Sequence, residues 1–252
     1  MFNFKPYFNI MHPQNNSQTV TMSFFRYEGR KNKTWGMSQM HLSRKPMKAM
    51  EGLLFFKPLG TGGGTGYSIW PDFGVYGLLA VWENYEQALN WRKSDFYKTF
   101  EAKSKENYTI FMSPISSRGS WSGFSNWETS DQKESTPLIC VITRATIRKR
   151  FMFKFWSMVP GSSAAHDVAD GLIFSKGIGE VPLLEQATFT IWENTQSMIN
   201  FAYKSFHAEA VQITRKRNGF NEEMFTRLKP FLAVGSWNGI NPLERYGINS
   251  TL

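Results

Sequence analysis

The 252-residue sequence contains one cysteine, Cys140, so an internal disulfide is excluded and the expected compartment is the cytosol. No apolar run approaches the ~18–20 residues that a membrane-spanning helix requires. Residues 1–20 carry Pro6, Pro13, Gln14, Asn15 and Asn16 with no continuous apolar stretch, and do not read as a secretory signal. There is no Gly-x-Ser-x-Gly, and no Ser, His and acid cluster suggests a hydrolase. The four histidines are too few and too scattered for zinc: His12, His41 and His166 share no spacing with one another or with carboxylates that a two-His-one-carboxylate iron site would need. His12 reads as exposed tail. His41 and His166 read as loop histidines at corresponding places in the chain, able to line a cavity. Acidic residues are also in deficit, 20 Asp and Glu against 29 Lys and Arg. The net charge of +9 draws anionic partners: nucleic acid, acidic lipid headgroups or an acidic redox protein.

What the sequence has in quantity is apolar and aromatic side chains, 41% and 16% with 22 Phe, enough for a substantial core. It also has an internal repeat. Trp82-Glu83-Asn84 returns as Trp192-Glu193-Asn194 at an offset of 110 residues, and Gly119-Ser120-Trp121-Ser122-Gly123 as Gly235-Ser236-Trp237-Asn238-Gly239 at an offset of 116. Gly52-Leu53-Leu54-Phe55 matches Gly171-Leu172-Ile173-Phe174, and Trp35-Gly36-Met37 matches Trp156-Ser157-Met158. Matches in one order mark a tandem copy.

Each copy predicts the same elements. Strands are expected over 19–27 and 138–147, 52–58 and 171–176, 75–82 and 186–192, and 109–114 and 231–235. A helical or irregular stretch follows the first strand, and Asn84 and Asn194 are placed to cap the helices after the third. The order β-α-β-β-α-β is the ferredoxin-like split unit. The expected fold class is α+β: a tail (1–18), a first ferredoxin-like repeat (19–127), a polar linker (128–137) and a second repeat (138–252), packed as an α+β barrel that encloses a cavity.

His207 lies in Phe206-His207-Ala208-Glu209-Ala210-Val211, a helix-favouring stretch, with the small apolar residues Ala210 and Val211 at i+3 and i+4. A neutral imidazole on such a face can ligate haem iron beside a flat macrocycle; equally, it can bond a nearby carbonyl. At the 110-residue offset the first copy has Tyr97, as expected if only the second copy kept a metal site. Cys140, in Leu138-Ile139-Cys140-Val141-Ile142, reads as a small core hydrophobe, with a thiolate haem ligand as the alternative. Arg144, Arg148 and Arg150 fall at even spacing and tend to share a face, either toward haem propionates or on a solvated sheet edge. The glycine-rich residues 60–66 lack the lysine and the following helix of a phosphate loop, so nucleotide binding is rejected and a mobile or substrate-admitting loop is expected. Arg118-Gly119-Ser120-Trp121-Ser122-Gly123-Phe124 only faintly echoes an RNA-binding strand, because Ser120 and Ser122 break its aromatic alternation; no nucleic-acid partner is expected.

Several stretches together resemble the spheroidene monooxygenase family, also called acyclic carotenoid 2-ketolases. They are Thr19-Val20-Thr21-Met22-Ser23-Phe24-Phe25-Arg26-Tyr27, the run from Phe73 to Asn84, Thr143 to Arg148, and Gly177-Ile178-Gly179-Glu180-Val181-Pro182-Leu183. Phe201-Ala202-Tyr203 through His207-Ala208-Glu209-Ala210-Val211, Glu222-Glu223-Met224-Phe225 and Gly235-Ser236-Trp237 complete the set. The resemblance spans residues 19–242. It implies a haem-containing oxygenase that oxidises C2 of acyclic carotenoids such as spheroidene, to a hydroxyl and then a ketone, using O₂ and a reduced ferredoxin. It further implies His207 as axial ligand. Arg144 and Arg148 are the expected cofactor contacts, and peripheral membrane contact from the cytoplasmic side is expected for a lipophilic substrate.

Overall fold

The computed structural model describes residues 17–63, 70–130, 136–167, 169–181, 183–204 and 206–248. In chain order the elements are β1 (Thr19–Arg26), α1 (Gly29–Leu42), α2 (Arg44–Lys48), β2 (Leu53–Gly62), β3 (Pro71–Trp82), α3 (Tyr85–Lys93), α4 (Asp95–Lys103) and β4 (Glu106–Gly119). The second copy supplies β5 (Ile139–Ile147), α5 (Met152–Asp167), β6 (Leu172–Gly179), β7 (Glu185–Trp192), α6 (Thr195–Lys204), α7 (Phe206–Lys216) and β8 (Phe220–Gly235). The strands close into one barrel in the order β1-β3-β2-β6-β7-β5-β8-β4. Each half is therefore a β2-β3-β1-β4 or β6-β7-β5-β8 sheet, the duplicated ferredoxin-like unit expected from the repeat.

Strand alternation sorts side chains to the two faces. Val20, Met22 and Phe24 of β1 join Val81, Ile110, Cys140, Ile142, Phe174, Phe189 and Leu228 in one cluster drawing on all eight strands, which is the barrel interior. Phe24 packs there against Phe174, Phe189 and Trp237, with ring centroids 5.4, 5.9 and 5.9 Å away. These side chains face the barrel interior. On the other face of the first half, Phe25, Tyr76, Leu78, Ala80, Trp82 and Phe111 pack against Trp91, Tyr97 and Phe100 of α3 and α4.

The Asn84 side chain accepts from the Gln87 amide at 3.0 Å and that of Asn194 from Ser197 at 2.8 Å, so both asparagines cap their helices as predicted. The strands at the junctions, β2, β4, β6 and β8, run longer than the sequence suggested, because there each half pairs with the other. β4 and β8 are joined from Tyr108↔Gly235 to Gly119↔Met224, and β2 meets β6 at Gly60↔Gly179 and Thr61↔Ile178. Gly60 and Gly62, expected in a loop, are thus strand residues; residues 64–66 of that segment lie outside the described residues.

The two Gly-Ser-Trp motifs are turns fastened by the opposite repeat. Glu222 of β8 accepts from Ser120 Oγ (2.7 Å) and from the amides of Ser122 and Gly123 (3.1 Å each). Glu106 of β4 accepts in the same way from Ser236 Oγ (3.2 Å) and the Gly239 amide (2.7 Å). Gly119 and Gly235 have φ of +86° and +89°, and a Cβ on either would lie 2.0 or 2.2 Å from the carbonyl oxygen of Glu223 or Asn107. Only glycine fits there.

Candidate functional site

The repeat relation exposes a difference between the two outer faces. The offset of 110 relates Trp82 to Trp192, and through the cross-strand pairing it aligns the neighbouring strands row by row. In the first half one row reads Ala80, Thr21, Phe111; its counterpart in the second reads Thr190, Val141, Arg227. The next row, Leu78, Ser23, Thr109, becomes Thr188, Thr143, Phe225. The third, Tyr76, Phe25, Asn107, becomes Gln186, Ala145, Glu223. Leu78, Phe25 and Phe111, all buried, are thus replaced by a threonine, an alanine and an arginine.

In the first half the helix side of this face is closed by Tyr97. Its hydroxyl meets Thr109 Oγ1 at 2.6 Å, Thr109 Oγ1 meets Ser23 Oγ at 2.7 Å, and the ring packs on Phe25 at 5.5 Å. Burial pushes the Tyr97 phenol up, against the lowering effect of Arg92 and Thr109, so it stays neutral. Phe100, one helical turn on, packs against Phe25 at 5.3 Å. At the same offset α3 and α6 start in register, Tyr85 against Thr195, and the positions of Tyr97 and Phe100 are held by His207 and Ala210. His207 is the second residue of α7; its side chain lies outside the described residues, as does that of Ala210. α6 covers the second outer face: Met198 is buried with Ile139, Val141 and Trp192, beside Phe201 and Phe225, and the Trp192 and Phe201 rings are 5.2 Å apart.

The structure separates the other expected residues. Arg144 points into the barrel, in line with Cys140 and Ile142. It is 2% exposed, donates from Nη1 to Glu222, lies 3.4 Å from Glu185, and sits over the Trp121 ring at 5.8 Å. β5 ends at Ile147, so the alternation that would set Arg148 beside Arg144 stops one residue short; Arg148 Nε donates to the Phe220 carbonyl at 3.0 Å. Arg150 lies in a short 3-10 turn ahead of α5. Cys140 is fully buried and desolvation pushes its thiol up, against a smaller lowering by Lys229, which favours the small-hydrophobe reading over a thiolate. His41, expected in a loop, is exposed near the end of helix α1. His166 falls in α5 with its side chain outside the described residues, and His12 lies outside them altogether. Among the described residues no cluster of three or more His, Cys, Asp or Glu could hold a metal. No described helix is long and apolar enough to cross a membrane.

Sequence reading missed Arg227. Its Nε is sealed from water without an acceptor, and its guanidinium lies over the Phe225 ring at 5.3 Å. The signal was present in the sequence: the 116-residue offset of the Gly-Ser-Trp motifs pairs Arg227 with Phe111, and strand pairing gives the same match.

Comparison with known proteins decides the family. The chain is 32% identical over 229 residues to the spheroidene monooxygenase of Cereibacter sphaeroides, covering 90% of this chain and 71% of that protein. It is 32% identical over 228 residues to that of Rhodobacter capsulatus, covering 89% and 95%. The chain belongs to the spheroidene monooxygenase family. That membership supports a monooxygenase, and hence an oxidoreductase. No protein-family model matches the chain. Among solved structures, an aldoxime dehydratase in complex with butyraldoxime superposes with a TM-score of 0.58 at 7% identity, covering 87% of this chain and 82% of that one. The likeness concerns the fold, and agrees with the barrel found in this member of the family.

Proposed function

We propose that the chain is a haem-dependent monooxygenase acting at C2 of acyclic carotenoids such as spheroidene, with O₂ and electrons from a reduced ferredoxin. The observation that carries this reading is the exchange, in register, of Phe25, Tyr97 and Phe100 for Ala145, His207 and Ala210. In one repeat Phe25 packs on both Tyr97 and Phe100; at the corresponding positions the other has alanine, histidine and alanine, the histidine a potential iron ligand. That pattern suits a flat macrocycle between helix and sheet. The buried, unpartnered Nε of Arg227 on the same face suits a ligand that carries negative charge. His207 is the proposed axial ligand. Arg148 is the proposed partner of the cofactor's carboxylates; Arg144, expected beside it, faces the barrel interior instead, where Glu222 and Glu185 hold it.

Bound haem would supply the oxidising power that an unactivated C–H bond requires and that side chains lack. Each oxygenation consumes one O₂, two electrons and two protons and releases one water; a second at the same carbon gives a hydrate that loses water to the ketone. The protein's part is to keep an apolar, water-poor wall beside the polyene, for which Val141, Phe201 and Phe225 are placed. Exposed Phe153, Val181 and Leu183 beside Lys149, Arg150 and Lys154 support a peripheral contact with an anionic membrane from the cytoplasmic side. The Trp156 indole ties α5 to the 183 turn by donating to the Leu183 carbonyl at 3.1 Å.

Turnover with spheroidene, O₂ and reduced ferredoxin should yield hydroxylated and then keto products by chromatography and mass spectrometry. Carotenoid binding without any oxygenated product would instead favour a non-catalytic haem or carotenoid carrier. Ala145→Phe, which restores the first repeat's residue, is expected to remove most haem absorbance while leaving the far-ultraviolet circular dichroism unchanged. Undiminished haem uptake in that variant would place the cofactor elsewhere.

A further inference from the structure

We infer that Arg227 is an anion-binding residue of this site, donating a charge-assisted hydrogen bond to a negatively charged oxygen of the bound ligand; the inference rests on the site proposed above. Among the described residues three arginines have an Nε buried without an acceptor: Arg92, Arg144 and Arg227. The first two discharge their cation through Nη, Arg92 to Glu101 at 2.8 Å and Arg144 to Glu222 and Glu185. Arg227 has no carboxylate within ion-pair distance among the described residues; its one side-chain contact of this kind is the Phe225 ring. A ring face attracts a guanidinium but gives the buried Nε–H no acceptor; the Arg227 side chain as a whole is half-buried.

The position makes the lone cation more telling. Its counterpart Phe111 is fully buried in the packed face of the first half, where its ring sits 6.1 Å from Tyr85. A phenyl group was therefore compatible with this fold at this place, and the sealed Nε–H of a half-buried arginine there is a cost to folding unless an acceptor completes it. The neighbouring row supplies the connection. Phe225, two residues before Arg227 on the same face, is the counterpart of Thr109, which receives the Tyr97 hydroxyl. Residues at i and i+2 are about 7 Å apart along a strand. Arg227 thus stands one step along the sheet from the point that the counterpart of His207 reaches in the first repeat. By the repeat relation, the sheet thus carries an unneutralised cation one step from the position that corresponds to Thr109, while α7 carries His207 at the position that corresponds to Tyr97. Thr188 and Thr190, on β7 in the same two rows, stand where the first repeat has Leu78 and Ala80, the Thr190 hydroxyl accepting from the Trp192 indole at 2.8 Å.

The acceptor can come from two sources, a carboxylate of the cofactor or a small anion bound at the cofactor, and the test separates them. Wild type, Arg227→Gln, Arg227→Lys and Arg227→Phe are titrated with haemin and with its dimethyl ester, and the haemin-loaded proteins with fluoride, all followed at the Soret band. A carboxylate source predicts that wild type prefers haemin over the ester by about ten- to a hundredfold and that Arg227→Gln erases the preference. A small-anion source predicts that fluoride affinity falls by a similar factor in Arg227→Gln with haemin affinity unchanged. Arg227→Lys, which keeps the charge, should retain part of either effect. Melting of the cofactor-free proteins gives an independent reading: Arg227→Phe should melt higher than wild type. Haemin, ester and fluoride affinities that are all unchanged in Arg227→Gln would overturn the inference while leaving the haem reading intact. If wild type shows no Soret band at all, the haem reading falls. The melting arm then decides Arg227 alone, a higher transition for Arg227→Phe supporting a ligand-completed cation and a lower one overturning it.

Discussion

His207→Ala is expected to abolish the Soret band of protein purified with haem available, while the barrel stays folded. The loss should exceed the ~10–100-fold weakening that removal of an outer-shell partner typically causes, because the ligand bond itself is deleted. The fold has little reason to fail. The second residue of α7 is not a cap, and alanine is the better helix former. His207→Tyr is the more informative companion. It restores the first repeat's residue, and a phenolate is a weaker but possible iron ligand, so a shifted band is expected in place of none. A band in His207→Ala identical in position and intensity to that of wild type would keep haem and remove His207 as its ligand. Circular dichroism on the same samples guards against unfolding as the cause.

The fold was readable because duplication writes the same signal twice. Trp82-Glu83-Asn84 and Trp192-Glu193-Asn194 fix the end of one strand and the cap of the following helix, which are local features of turn chemistry and hydrophobic period. Strand length was not readable. β8 begins at Phe220 and not near 231, because its first half is held by β5 and β4, partners remote in sequence. Residues such as Glu222 and Arg227 look like an exposed, mixed-charge segment until those pairings are known.

The candidate site was legible to the same uneven degree. His207 stood out because its counterpart at a constant offset was a different kind of residue. Arg144 was singled out for its charge, but alternation along β5 puts it inside with Cys140 and Ile142, where it serves the turn-fastening glutamate. The meaning of Ala145 and Arg227 lay in what they replace, Phe25 and Phe111. For Ala145 that comparison needs the row-by-row register of two sheets, whereas for Arg227 the 116-residue offset of the Gly-Ser-Trp motifs already carries it.

Glu222→Ala is expected to destabilise the protein by about 3–5 kcal/mol, the usual effect of removing one partner of a buried ion pair, or ~10 °C in melting temperature for a chain of this size. Arg144 is 2% exposed against 25% for Glu222, so the mutation strands a guanidinium that water does not reach. Glu185, 3.4 Å from Nη2, compensates in part. The substitution also frees the Ser120 hydroxyl and the Ser122 and Gly123 amides, unfastening the turn that carries Trp121. Arg144→Met combined with Glu222→Gln should recover part of the loss, since no lone charge remains; if the double variant is as unstable as the sum of the singles, the pair is not the cause. Acidification should show the same interaction. Burial raises the Glu222 carboxyl, but Ser120, Gly123, Ser122 and Arg144 outweigh it and hold it below its ordinary value of 4.5. A carboxylate more acidic in the folded than in the unfolded state contributes stability above the ordinary value, and that contribution is lost as pH falls through the folded one. Glu106, whose burial is likewise outweighed by Gly239, Asn238, Arg26 and Ser236, adds in the same sense. Glu185, raised first by burial and then by Glu180, works in the opposite sense and favours the folded state at low pH. Wild type should therefore lose stability below the ordinary carboxylate range, and Glu222→Ala should show a shallower decline over that interval in denaturant melts. A parallel decline in the two proteins would mean that Glu222 is not held by the turn and Arg144.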